Sequence, residues 1–196
     1  METLSRADRS RADVIRVVLT GSECTGKTTL AAALADHYGA ELVPEFVREF
    51  AEQRGGTIEF SDHGPIARGQ MALEDAHIAL ARETGRLVVQ DTDLLSTAVY
   101  CAHYFGRAPA WISEAATARR PDLYLVCDID VPWIADGVRD RGDRREELQA
   151  MFLQAVRVSG SPYIELSGDR AARFAAATAA IDSLSESKRR QGEATA

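Results

Sequence analysis

Apolar residues recur along this chain at two spacings, and the switches between them outline its elements. Residues 14–20 (VIRVVLT) are nearly continuous β-branched and aliphatic sequence, as a strand covered on both faces requires. Residues 87–89, Leu123–Cys127 and Tyr163–Leu166 read the same way, and residues 40–43, stopped by Pro44, form a weaker strand. Between them the period lengthens. Leu30 and Leu34 lie four apart in an alanine-rich run. Leu148, Met151, Phe152 and Ala155 make one helical face, and Phe174, Ala177, Ile181 and Leu184 another. Residues 65–83 and 94–104 are predicted helices too. This alternation predicts an α/β fold, a parallel sheet with right-handed crossovers and helices on both faces, whose ligands bind beyond the carboxyl ends of the strands. Polar composition predicts flexible ends at residues 1–13 and 185–196, flanking one domain over residues 14–184.

Composition narrows the classes of function. The 196 residues carry a formal charge of −7, and the cations are 21 arginines but only two lysines. A net-acidic chain without a basic stripe does not fit nucleic-acid binding. No apolar run approaches the ~18–20 residues that span a membrane. The N-terminal segment has no apolar stretch, so it is not a signal peptide. Cys24, Cys101 and Cys127 are odd in number, scattered and outside metal-ligand spacing, which fits a reducing cytoplasm. The four histidines show no paired spacing and are expected in core or surface positions. The oligomeric state stays open, a homo-oligomer included.

One of the two lysines is Lys27, and it changes the picture. The first strand runs into Gly21-Ser22-Glu23-Cys24-Thr25-Gly26-Lys27-Thr28, a G-x-x-x-x-G-K-[ST] phosphate loop, which arises by accident in roughly one of 800 chains of this composition. Gly21 and Gly26 permit backbone conformations that aim successive N–H groups at phosphate oxygens, and the following helix presents its positive end to the same anion. Lys27 is expected to reach the β- and γ-phosphates of ATP, Thr28 to ligate Mg²⁺, and Thr29 to contact the α-phosphate. Cys24 is either a thiol with a lowered pKa or a side chain that the loop tolerates while using its backbone.

A phosphate loop alone does not define an acceptor, so the other strand ends matter. Asp91 after the third strand is expected to serve Mg²⁺ or an attacking hydroxyl. Asp93 is either the N-cap of the next helix or a site residue. Glu45, after Pro44, either complements a helix dipole or faces the crevice. Residues 132–145 hold Arg139, Arg141, Arg144 and Arg145 with two glycines, a candidate lid that would deliver guanidinium groups to a triphosphate, Arg139 first and Arg144 second. Gly168-Asp169-Arg170 is a weaker candidate for the adenine border. Tyr100, Tyr104 and Trp111 follow Asp93, where an acceptor ring would stack, and none is singled out.

Together with Val43-Pro44-Glu45-Phe46-Val47-Arg48-Glu49-Phe50, Ile66-Ala67-Arg68-Gly69-Gln70, Asp91-Thr92-Asp93 and Pro132-Trp133…Asp136-Gly137…Arg139, the phosphate loop resembles the kinase domain of NadR-type nicotinamide riboside kinases over residues 14–182. The resemblance implies a P-loop kinase fold with a five-stranded parallel sheet of order 2-3-1-4-5. It also implies transfer of the γ-phosphate of ATP, with Mg²⁺, to the 5′-hydroxyl of nicotinamide riboside. Glu45 would then serve the acceptor hydroxyl, Asp91 the Mg²⁺ side, and Gln70 and Asp93 the ribose or nicotinamide. An acceptor site lined by Glu45, Glu49, Asp91 and Asp93 is expected to favour the fixed pyridinium charge. The chain starts thirteen residues before its first strand and has no H-x-G-H, so a stand-alone kinase domain without an adenylyltransferase is expected.

Overall fold

The computed structural model describes residues 14–84, 87–132 and 144–194. Five strands, β1 (Arg16–Thr20), β2 (Glu41–Val43), β3 (Val88–Asp91), β4 (Leu123–Cys127) and β5 (Tyr163–Leu166), pair in parallel in the order β2-β3-β1-β4-β5. The strands between β1 and β5 therefore lie where the resemblance implied. The chain leaves β1 to one side for β2 and β3, then crosses to the other for β4 and β5. A crevice opens at the carboxyl ends on either side of β1, where such sheets bind ligands.

Alternation along the strands builds two cores. Val17 and Leu19 of β1 face α1 (Lys27–Tyr38) and α7 (Arg170–Ala194) through Leu30, Leu34, Ala177 and Ile181. Val18 between them points the other way, onto α4 (Leu94–Phe105) and α6 (Arg145–Ser159) through Val99, Leu148 and Phe152. The helix α3 (His63–Thr84) covers the β2–β3 edge with Ile78 and Ala81. Two short helices, α2 (Phe46–Gln53) and α5 (Ala110–Ala118), and a 3₁₀ turn over Phe60–Asp62 complete the described set. The pattern did not predict α5, which buries Ile112 alone among its residues and so carries almost no periodic signal.

Two boundaries differ from expectation. The strand β3 continues through Gln90 and Asp91, which pair with Val18 and Leu19 despite their polarity, so Asp91 ends the strand rather than following it. Gln90 is accommodated because its side-chain oxygen accepts from Arg16 Nη2 at 3.1 Å. Residues 185–194, expected as a flexible tail, instead continue α7. Ile181 anchors the helix in the core, and each further residue adds a hydrogen bond without a new nucleus. Lys188 then reaches Asp122 at 2.7 Å. Among the described residues no helix is long and apolar enough to cross a membrane.

Candidate active site

The phosphate loop lies between β1 and α1 as its motif requires. Gly21 has φ +121°, and a Cβ there would meet the Cys127 carbonyl at 2.6 Å, so the end of β4 excludes any side chain. Cys24 also takes a left-handed conformation (φ +54°), and its side chain is half-buried. The helix α1 starts at Gly26 with no side-chain cap, leaving its first N–H groups to an anion. Lys27 is buried, and its Nζ donates to Ser22 O at 2.6 Å. Thr28 and Thr29 are exposed, and Thr28 bonds Asp91.

Asp91 stands beside this loop, only 3% exposed. Burial pushes its carboxyl above the ordinary carboxylate range, and the nearby Glu45 charge adds to the rise. A hydrogen bond from Thr28 and the charges of Lys27 and Arg48 oppose it. One oxygen, Oδ1, is buried with no hydrogen-bond partner among the described residues. An orphaned carboxylate oxygen next to the Thr28 hydroxyl fits a hard divalent cation. Mg²⁺ takes few protein ligands and fills its remaining positions with water and phosphate, so a dedicated cluster of carboxylates is not needed. Among the described residues there is no group of three or more His, Cys, Asp or Glu side chains that would hold a metal unaided.

Glu45, from the end of β2, caps α2 without a side-chain cap bond and is buried beside Asp91. Its carboxylate meets Arg48 at 3.6 Å. Gln70 of α3 reaches the same place because Gly69 lets the Phe46 ring lie against the helix, where a Cβ would meet it at 2.2 Å. The Phe46 N–H donates to Gln70 Oε1 at 3.0 Å, which fixes the amide orientation. Gln70 Nε2 is left buried and without a partner among the described residues. Glu45, Gln70 and Thr92 share the wall of a cavity of about 350 Å³ with Ile66, Tyr100 and Tyr104, a size suited to a small ligand. Thr92 holds φ +69°, strained for a β-branched residue, with its N–H bonded to Leu19 O at 3.0 Å.

Other expected site residues lie elsewhere. Asp93 is the N-cap of α4: Oδ1 accepts from Ser96 N at 3.1 Å and Oδ2 from the Tyr124 hydroxyl at 2.6 Å. Its carboxylate is therefore engaged in the fold, the capping role of the two that the sequence left open. Glu49 is exposed and accepts from Gln53, so Glu45 is the acidic residue on the cavity wall, with Asp91 buried beside it. Arg144 pairs with Glu147 on the surface, its Nε 2.7 Å from Oε2, and the adjacent Arg145 turns to the loop instead. Arg139 and most of the candidate lid fall outside the described residues. Asp169 caps α7 through Ala172 N at 2.8 Å.

Sequence reasoning also passed over several residues. His63 lines the cavity, and burial lowers its pKa against opposing hydrogen bonds and the Asp62 charge. The Tyr104 hydroxyl donates to Glu23 Oε2 at 3.4 Å, linking loop and cavity. Gln149 accepts from Ser22 N at 3.0 Å and donates to Cys127 O at 3.1 Å. Its one visible signal was its place four residues after Arg145, which puts both on one helical face.

A phosphate loop after β1, a carboxylate two residues past β2, another ending β3, and this strand order define a P-loop kinase fold. Residues 16–173 match the AAA domain family, and the chain belongs to it. It is homologous to the trifunctional NAD biosynthesis/regulator protein NadR of Escherichia coli, 26% identical over 156 residues, 76% of this chain. That match takes in 37% of NadR, so the chain spans little more than a third of the curated relative. A crystal structure of NadR protein in complex with NAD and AMP-PNP superposes with a TM-score of 0.73 at 23% identity, over 90% of this chain and 51% of that one. One in complex with NR gives 0.66 at 24% identity, over 90% and 54%. The fold extends to a deoxyadenosine kinase from M. mycoides with bound dATP, with a TM-score of 0.57 at 13% identity, over 86% and 99%.

Proposed function

We propose that the protein is an ATP-dependent kinase that transfers the γ-phosphate to the 5′-hydroxyl of nicotinamide riboside, giving nicotinamide mononucleotide in the cytoplasm. The convergence of Glu45 and Asp91 on the Lys27–Thr28 end of the phosphate loop, beside a nucleoside-sized cavity, carries this reading. Homology to NadR, one of whose structures holds NR, supports the acceptor. Glu45 takes the hydroxyl proton as the acceptor oxygen bonds to the γ-phosphorus. The bond from that phosphorus to the bridging oxygen breaks, and ADP leaves. Lys27 binds the β- and γ-phosphate oxygens, and Arg139 adds a guanidinium. Thr28 and Asp91 are the residues to hold Mg²⁺, which when bound neutralises charge on the β- and γ-phosphates. Gln70 orients the acceptor.

A second reading, a kinase of another nucleoside, draws on the Glu45–Arg48 pair, which reduces the negative field that would select a pyridinium. The test is an acceptor panel with ATP and Mg²⁺, following ADP release. Stimulation by nicotinamide riboside, but not by uridine, cytidine or deoxynucleosides, is the expected outcome. Stimulation by one of the others supports the second reading. ADP release that no acceptor raises removes both and leaves an ATP-binding regulatory module.

A further inference from the structure

Two buried arginines stand behind the phosphate loop, and neither belongs to its motif. Arg173 of α7 is 4% exposed, and its Nη1 donates to Thr25 O at 2.7 Å. Its Nε and Nη2 hold Gly168 O at 2.9 Å and Asp128 O at 3.0 Å, and Asp130 is its counterion. The guanidinium thus ties together the segments that follow β1, β4 and β5. Arg145 of α6 is 9% exposed; its Nη2 donates to Cys24 O at 3.2 Å and its Nη1 to Val131 O at 2.7 Å. Among the described residues Arg145 has no carboxylate within ion-pair distance, and its Nε has no hydrogen-bond partner.

We propose that Arg145 and Arg173 are positioning residues for nucleotide binding, acting through the two peptide planes at the crest of the loop. A trans peptide is planar, so its carbonyl and N–H point in opposite directions. The Cys24 carbonyl shares a plane with the Thr25 N–H, and the Thr25 carbonyl shares one with the Gly26 N–H. A cation fixed on each carbonyl turns the opposite N–H away from itself, into the loop, and polarises it as a donor. This matters most at Cys24, which must stay left-handed without being glycine. Arginine is needed because its fork serves several carbonyls at fixed angles, whereas lysine offers a single point of charge.

The inference rests on the nucleotide reading above and is tested by titrating ATP, ADP and adenosine into wild type, Arg145→Gln, Arg145→Lys and Arg173→Lys, with melting recorded for each. Arg145→Gln and Arg173→Lys are each expected to weaken ATP about tenfold, ADP less and adenosine not at all. Arg145→Lys should recover part of the loss. Equal weakening of all three ligands, or unchanged ATP affinity in folded variants, overturns the proposal, since a bracing role would not depend on phosphate number. Should the variants fail to fold, amide chemical shifts in the wild type decide. ATP but not adenosine should move Thr25 and Gly26 downfield, and their silence overturns the inference. A wild type that binds no ATP overturns the nucleotide reading as well, whereas binding with unaffected variants overturns this inference alone.

Discussion

The two halves of the crevice are finished to different degrees. On the phosphate side, backbone groups of the loop are already engaged. Ser22 N–H is held by Gln149, Ser22 O by Lys27 and Thr25, and the Cys24 and Thr25 carbonyls by Arg145 and Arg173, while Ser22 Oγ and Arg145 Nε have no partner among the described residues. On the acceptor side, Gln70 Nε2 is buried with no partner among the described residues and Thr92 is strained, and Asp91 Oδ1, between the two halves, is likewise without one. A buried polar group without a partner is unfavourable by roughly 1–3 kcal/mol until something supplies one. The phosphate loop is thus shaped before its ligand arrives, as electrostatic preorganisation requires, and the acceptor side is completed by what it binds.

Substitutions can break that contrast. Lys27→Ala should have the largest effect, lowering turnover about a thousandfold with the fold retained, because it removes charge where the transition state develops it. Circular dichroism beside single-turnover transfer checks this, and a normal rate would detach the loop from the chemistry. Glu45→Gln should lower kcat about a hundredfold while leaving ATP affinity unchanged, if Glu45 acts only on the acceptor proton. Equal losses in ATP binding would move Glu45 to the nucleotide side. Gln70→Leu should raise the acceptor KM about tenfold without touching that for ATP, since it deletes an unmet donor that the acceptor would satisfy.

The pH dependence sharpens the same contrast. Burial holds Asp91 above the ordinary carboxylate range in the free protein, so kcat/KM should fall on the acid side at a pH higher than a solvated aspartate would give. The smallest effect is expected behind the cavity. Glu74, 1% exposed, is pushed up to about 7, chiefly by burial and then by Asp93, with Arg119 and Arg16 opposing. A carboxyl whose folded pKa is raised binds its proton more tightly in the folded state. The stability it contributes is therefore complete below about 4.5 and is lost as pH rises towards 7. The melting temperature of wild type should fall by a few degrees more than that of Glu74→Gln between pH 5 and pH 8. Parallel curves would assign the slope to another group.

Strands, their parallel order, the phosphate loop and the positions of Glu45, Gln70 and Asp91 were legible from residues alone or from the resemblance they carry. Periodicity and a contiguous motif are local properties, so one stretch of chain determines them. Position in sequence could not separate Asp93 as cap from Asp93 as ligand, because the Tyr124 hydroxyl that claims it comes from another strand, 31 residues on. Nor could it separate Arg144 from Arg145. Adjacent helical side chains diverge by about 100°, and only the docking of α6 decides which one meets the loop. Arg173 lies 148 residues from the carbonyl it holds and carries no motif of its own. The chain by itself therefore determined which chemistry is present and at which strand ends. Tertiary structure decided which charged side chains are committed to the fold and which are left for a ligand, because that division depends on partners brought together only when the sheet closes against its helices.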